Sequence, residues 1–171
     1  GIESENSKAI LELGIIYSHL GEVKKGISLL KKSLEIDPFN HETKFNLGQM
    51  QIYNKEFKEG WSNFESRWHY HNFKVIPFKS SKKMLKNLEE ANNVFIWDEQ
   101  GIGDQIMYGS MFSEISKVSK KVIVKFDKRL IKIFEKKHKN INFIDNYVDI
   151  TEEQYDAHLP LRNLGYLFRR D

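Results

Sequence analysis

The chain has 171 residues, 40% of them hydrophobic, with 27 lysines and arginines against 24 aspartates and glutamates, hence a net charge of +3. That supports one domain or two small ones and excludes a disordered polyelectrolyte, while so small a basic excess calls for no nucleic acid as partner. Absence of cysteine excludes disulfides, thiol catalysis and cysteine-bound metal, and with no apolar run near the ~18 residues of a spanning helix, a cytoplasmic protein without a membrane span is expected.

The chain opens Gly-Ile-Glu-Ser rather than with methionine, so it reads as a trimmed piece with sequence expected upstream. From residue 7 it repeats with a period of 34: Leu13-Gly14 returns as Leu47-Gly48, Gly26 as Gly60 and Leu30 as Phe64. Two units follow, residues 7–40 and 41–74, with helices predicted at 7–20, 23–36, 41–54 and 57–68 and turns at Gly21, Asp37-Pro38 and Asn54-Lys55. Glycine in a helix interior costs roughly 1 kcal/mol against alanine. Gly14, Gly26, Gly48 and Gly60 are therefore expected where the two helices of a hairpin approach closely.

Each unit resembles a tetratricopeptide repeat. In the first, Leu13, Gly14, Tyr17, Gly21, Gly26, Leu30 and Pro38 stand at the family's signature positions. The second keeps Leu47, Gly48, Gly60 and Phe64 but has Gln51 for a large apolar residue and Asn72 for the proline. The resemblance implies a protein or peptide partner. Where such grooves clamp a terminal carboxylate with lysine and asparagine, this chain has Leu11, Ile15, Phe45 and Gln49, none of them cationic, so a carboxylate clamp is not expected. Those four residues either form a mostly apolar peptide groove with Gln49 as its polar contact, or pack against a neighbouring repeat or domain.

Trp61, Phe64 and Trp68 lie at i, i+3 and i+7, which predicts a buried apolar seam rather than a sugar-stacking platform. His69 and His71 alternate in direction and have no third ligand nearby, so no metal site is expected. Residues 73–93, with Pro77, two serines and Lys79, Lys82, Lys83 and Lys86, read as a linker with a helical turn near Met84-Leu85 and solvated lysines.

From Val94 strands and helices alternate: strands at 94–97, 122–126, 141–144 and 155–159, and helices at 104–118, 128–137 with Asp127 as N-cap, and 161–169. The predicted fold class is thus α followed by α/β: two helical hairpins over 7–72, a linker over 73–93, and a partial Rossmann-like parallel βαβ domain over 94–171. About eighty residues fall short of the ~100–150 usual for such a domain, so the sheet is expected to be small or incomplete.

Between the first strand and helix stands Glu99-Gln100-Gly101-Ile102-Gly103-Asp104-Gln105. A phosphate-cradling P-loop needs a lysine here and there is none. A dinucleotide fingerprint wants a third glycine where Ile106 stands, and although Asp127 sits where a ribose-binding carboxylate would, Asp98, Glu99 and Asp104 repel a pyrophosphate.

The helical repeats, the Gly-Trp-x-x-Phe-Glu-x-Arg segment ending at Arg67, and the stretch 99–106 together resemble bacterial tetratricopeptide proteins that carry a glycosyltransferase-like domain of the two-Rossmann, GT-B kind. The Gly-x-Gly-Asp loop is also similar to that of heptosyltransferases. That resemblance implies Asp104 as the base toward an acceptor sugar, with Glu99, Gln100, Gly101, Gly103 and Gln105 forming the acceptor loop and the two glycines serving a tight turn. It also implies a nucleotide-sugar donor for the full-length protein, held by a second Rossmann domain, with no cofactor in the present stretch, which alone is expected to be inactive. Asp104 has another reading, as the cap of the helix it begins. The corresponding alternative for the whole is a protein-binding repeat module with a divergent, non-catalytic α/β cap.

Overall fold

Four helices between short turns occupy the amino-terminal part, α1 (Ile2–His19), α2 (Val23–Ile36), α3 (His41–Tyr53) and α4 (Phe57–Phe64); α2 and α4 gather their apolar residues on one face, whereas α1 and α3 carry them on more than one. The computed structural model describes residues 2–90, 92–99 and 101–170 and divides into two compact units, one running through Lys74 and the other Val75–Arg169.

In the first unit α1 and α2 run antiparallel, since Tyr17 meets Lys25, Gly14 meets Gly26 and Leu30, and Ser7 meets Ser33. α3 and α4 do the same through Ile52 and Gly60, then Gly48 and Phe64. The glycines are placed as the sequence predicts: a Cβ on Gly48 would lie 2.5 Å from the Phe64 backbone nitrogen, and one on Gly26 would lie 2.8 Å from the Gly14 carbonyl oxygen. The period of 34 also appears in the backbone. Gly21, with φ of 83°, turns α1 into α2, and Lys55, one period later, turns α3 into α4 with φ of 66°.

Leu11, Ile27, Leu30, Leu47 and Met50 make one core from three helices. A buried hydroxyl chain, Ser7 to Ser33 at 3.0 Å and Ser33 to Thr43 at 3.4 Å, ties the same three helices. Gln51, the departure from the repeat pattern, is buried but satisfied, donating to Glu56 at 3.2 Å and accepting from Asn63 at 2.7 Å.

The predicted fourth helix ends early. α4 stops at Phe64 and tightens into a 3-10 turn, Glu65–Trp68. Trp61 and Phe64 are buried, which removes them as a stacking platform, whereas Trp68 is only partly covered. Around Arg67 the cause is visible: its guanidinium lies 4.6 Å from the Phe64 ring centre and 4.2 Å from that of Trp68, and pairs with Glu65 at 2.5 Å. The Trp-x-x-Phe-Glu-x-Arg segment is a cation sandwiched by its own neighbours.

The second unit is a five-stranded parallel sheet: β1 (Lys83–Met84), β2 (Asn93–Trp97), β3 (Lys121–Phe126), β4 (Ile141–Asp145) and β5 (Ala157–Pro160), in the order β1-β5-β2-β3-β4. Its helices are α5 (Ile102–Gly109), α6 (Phe112–Val118), α7 (Lys128–Lys137) and α8 (Asn163–Phe168). The linker reading of 73–93 is corrected here: from Val75 the chain belongs to this unit, and Lys83 and Met84 add an edge strand beside Ala157 and His158. A two-residue strand has too little pattern to be read, and its partner lies more than seventy residues away.

The single helix predicted over 104–118 is two, α5 and α6, parted near Ser110 and Met111. Val94 and Ile96 share a sheet face with Val122 and Val124 by register, and Phe126 continues that face. There Phe112, Phe126, Phe134 and Phe143 pack ring to ring. On the opposite face Phe78 lies against Phe95 at 5.0 Å and against His158 at 5.6 Å. A continuous apolar β2 is what a strand covered on both faces requires.

Candidate functional site

Strand order places the site. The chain leaves β2 toward β3 and β4, then returns to the other side of β2 with β5, so the sheet changes direction between β2 and β5. In open parallel sheets the crevice outside the carboxyl ends of the strands at such a point is where ligands bind. Two loops flank it: the one after Trp97 that leads into α5, and the one after Pro160 that leads into α8.

Asp104 and Arg162 face each other across those loops. The Arg162 Nη2 donates to Asp104 Oδ2 at 3.0 Å, with side-chain exposures of 11% and 28%. The carboxylate therefore stands at the surface of the crevice and the guanidinium behind it. Arg162 escaped the sequence reading; its only signal was a cation two residues beyond an otherwise apolar strand.

Asp104 is not the cap of its helix, contrary to that reading of it. α5 begins two residues earlier, with Gly101 at the N-cap position, φ −63° and ψ 170°, and no side chain capping it. As the third residue of α5, Asp104 gives its backbone N–H to the Gly101 carbonyl at 3.0 Å and sends its side chain to Arg162 instead.

The tight-turn role expected of Gly101 and Gly103 is also corrected. Neither has a left-handed φ, and a Cβ on either would meet nothing within 4 Å. The fold does not require glycine at these positions. What glycine leaves is bare backbone at the mouth of the crevice, open to close approach by a ligand.

Behind this mouth is a polar lock. Gln105, assigned to the acceptor loop by resemblance, is buried: its amide donates to Asp98 Oδ2 at 2.7 Å and its carbonyl accepts the backbone N–H of Asp127 at 2.8 Å. Asn146 adds a longer contact to the same Asp98 oxygen at 3.4 Å. Gln105 thus joins the ends of β2 and β3 and presents nothing to solvent. Glu99 is buried as well, and Gln100 lies outside the described residues. Of the six residues proposed for this loop, Gly101 and Gly103 are exposed and Asp104 partly so beyond the carboxyl end of β2, whereas Gln105 and Glu99 are buried.

Asp127 caps α7 as predicted, accepting from the Arg129 N–H at 2.9 Å. Its carboxyl is pulled down to about 2 by the Arg129 guanidinium first and that backbone bond second. With both oxygens engaged it is not a free ribose acceptor. A cavity of about 220 Å³ lies beside it at the ends of β3 and β4, lined by Asp127, Arg129, Asp145, Asn146 and Tyr147.

The residues proposed for a groove on the repeats do not form one. Leu11 is in the core and Phe45 is buried against Phe64 and Phe73, Ile15 packs partly against that core, and only Gln49 is exposed. Among the described residues, the large apolar side chains that remain exposed on α1 are Leu13 and Ile16, with Leu20 just beyond its end. Positions 11 and 13 are two apart on a helix and so point in nearly opposite directions. No cluster of three or more metal-ligating side chains occurs among the described residues, and no described helix is long and apolar enough to cross a membrane.

No family model and no curated protein matches this chain. The site therefore rests on its own geometry.

Proposed function

We propose that this chain joins a tetratricopeptide-like protein-binding module to the acceptor-side α/β domain of a glycosyltransferase-like protein that uses a nucleotide-sugar donor. The observation that carries the reading is the Asp104 carboxylate, oriented by Arg162, at the switch-point crevice of a parallel sheet. The unneeded glycines beside it support the same reading, since they leave room for an acceptor. In this scheme an acceptor hydroxyl attacks the anomeric carbon of the donor, Asp104 takes its proton, and the bond from that carbon to the nucleotide's phosphate oxygen breaks. Arg162 fixes the direction of the carboxylate.

The test is turnover by full-length protein with a panel of nucleotide-sugars. Asp104→Asn is expected to depress turnover ~10²–10⁴-fold, the usual worth of a positioned base, with the fold intact. Turnover undiminished in that variant would remove Asp104 from catalysis.

One observation favours a second reading, a non-catalytic binding module: Asp104 already has a structural use, tying two loops through Arg162. Under it Asp104→Asn lowers the melting temperature, and no donor is turned over.

A further inference from the structure

We propose that the outer face of α5 and α7 is a docking surface for an acidic amphipathic helix of a partner protein. This is independent of the sugar-transfer reading. A groove of about 300 Å³ runs between the two helices, lined by Ile106, Gly109, Ser110, Ile133, Phe134 and Lys137. Two large apolar side chains of its lining stand open, Ile106 at 52% and Ile133 at 63% exposed.

Charge says what kind of partner covers it. Residues 117–140 hold ten lysines and arginines and two carboxylates, a local charge of +8, so the remainder of the chain carries −5 against the total of +3. On α7, Lys136 and Lys137 lie one turn beyond Ile133, on the same side, and Lys132 lies beside it, all exposed. The α7 side of the groove therefore has Lys137 in its lining and Lys132 and Lys136 beside it.

A nucleic acid would use the lysines but gain nothing from exposed isoleucines. A lipid surface would meet the lysines and leave the concavity unfilled. A partner helix uses both: an apolar anchor enters between Ile106 and Ile133, above a floor where Gly109 and the Phe134 ring are already in close contact, and acidic residues one turn away reach Lys136 and Lys137.

The experiment is fluorescence anisotropy of the full chain with a panel of labelled helical peptides of about 16 residues, Glu-rich with Leu, Phe or Trp anchors at i, i+3 and i+7. Saturable binding is expected, weakened at least ~10-fold by Ile133→Asp and by the pair Lys136→Glu and Lys137→Glu, and weakened by salt. Ile133→Gln serves if the aspartate variant melts early. No saturable binding by any peptide, or equal binding by all variants, overturns the proposal. So does binding to phosphatidylglycerol vesicles or to single-stranded RNA in place of the peptides, each of which would assign the face to that surface instead.

Discussion

Arg67 is the most buried charged side chain among the described residues of the first unit, 1% exposed, and Glu65, with which it pairs, is itself partly open to water. Truncating Arg67 removes its packing and cation–π contacts with the Phe64 and Trp68 rings and leaves a cavity between them. Arg67→Ala is expected to lower unfolding free energy by about 3 kcal/mol in a urea titration, and a loss below about 1 kcal/mol would mean the pair carries little. Lys55 gives the opposite sign. Its φ of 66° strains a residue with a Cβ, and the equivalent turn one period earlier uses Gly21. Lys55→Gly should therefore stabilise by about 0.5–1 kcal/mol, read as an upward shift of the urea midpoint. A downward shift would mean that chain entropy outweighs the relief.

At the scale of elements, the edge strand β1 depends on one carboxylate. Glu152 accepts from the Ser81 hydroxyl, from Ser80 Oγ at 2.8 Å and from the Ser81 N–H at 2.6 Å, and these bonds, the first most of all, pull it down to about 2. A two-residue strand has little pairing of its own, so the serine–carboxylate staple sets its register against β5. Glu152→Gln is expected to raise amide exchange of Leu85, whose N–H bonds to His158 at 2.8 Å, while leaving Val124 in β3 protected. Equal exchange at Leu85 in both proteins would show the strand to be held by other contacts. β2 is the contrary case, a strand whose four buried residues from Val94 to Trp97 announce themselves in sequence.

For the whole molecule, acid should destabilise in two steps. His138 and His158 are buried and held below the ordinary 6.5, by desolvation in each, and His158 accepts the Trp97 indole N–H at 3.1 Å in its neutral form. A histidine lowered in the folded state contributes stability that is present above 6.5 and lost as pH falls through its folded value. Glu152 and Asp127, lowered to about 2 from 4.5 and 3.8, contribute above those ordinary values and lose it toward pH 2. The melting temperature should fall below pH 6.5 and again below 4.5, and His158→Gln should flatten the first step. A melting temperature that rises between pH 7 and 5 would contradict this.

What could be read from the chain alone is what depends on near neighbours. The period of 34, the glycines at the close approaches, the apolar strands and the Asp127 cap are local patterns, and helix and sheet geometry turn each into a placement. The Gly-x-Gly-Asp loop was legible as a strand–loop–helix junction for the same reason. Its working parts were not: the partner of Asp104 is Arg162, 58 positions away, and Gln105 proved to be a buried tie rather than a contact residue because Asp98 and Asp127 reach it from two other strand ends. Likewise Leu11 and Phe45 look equivalent to Leu13 or Ile16 in composition, and only packing decides which are buried. Strand order, the crevice between β2 and β5 and the direction of each polar side chain depend on contacts distant in sequence, and those exist only once the chain has folded.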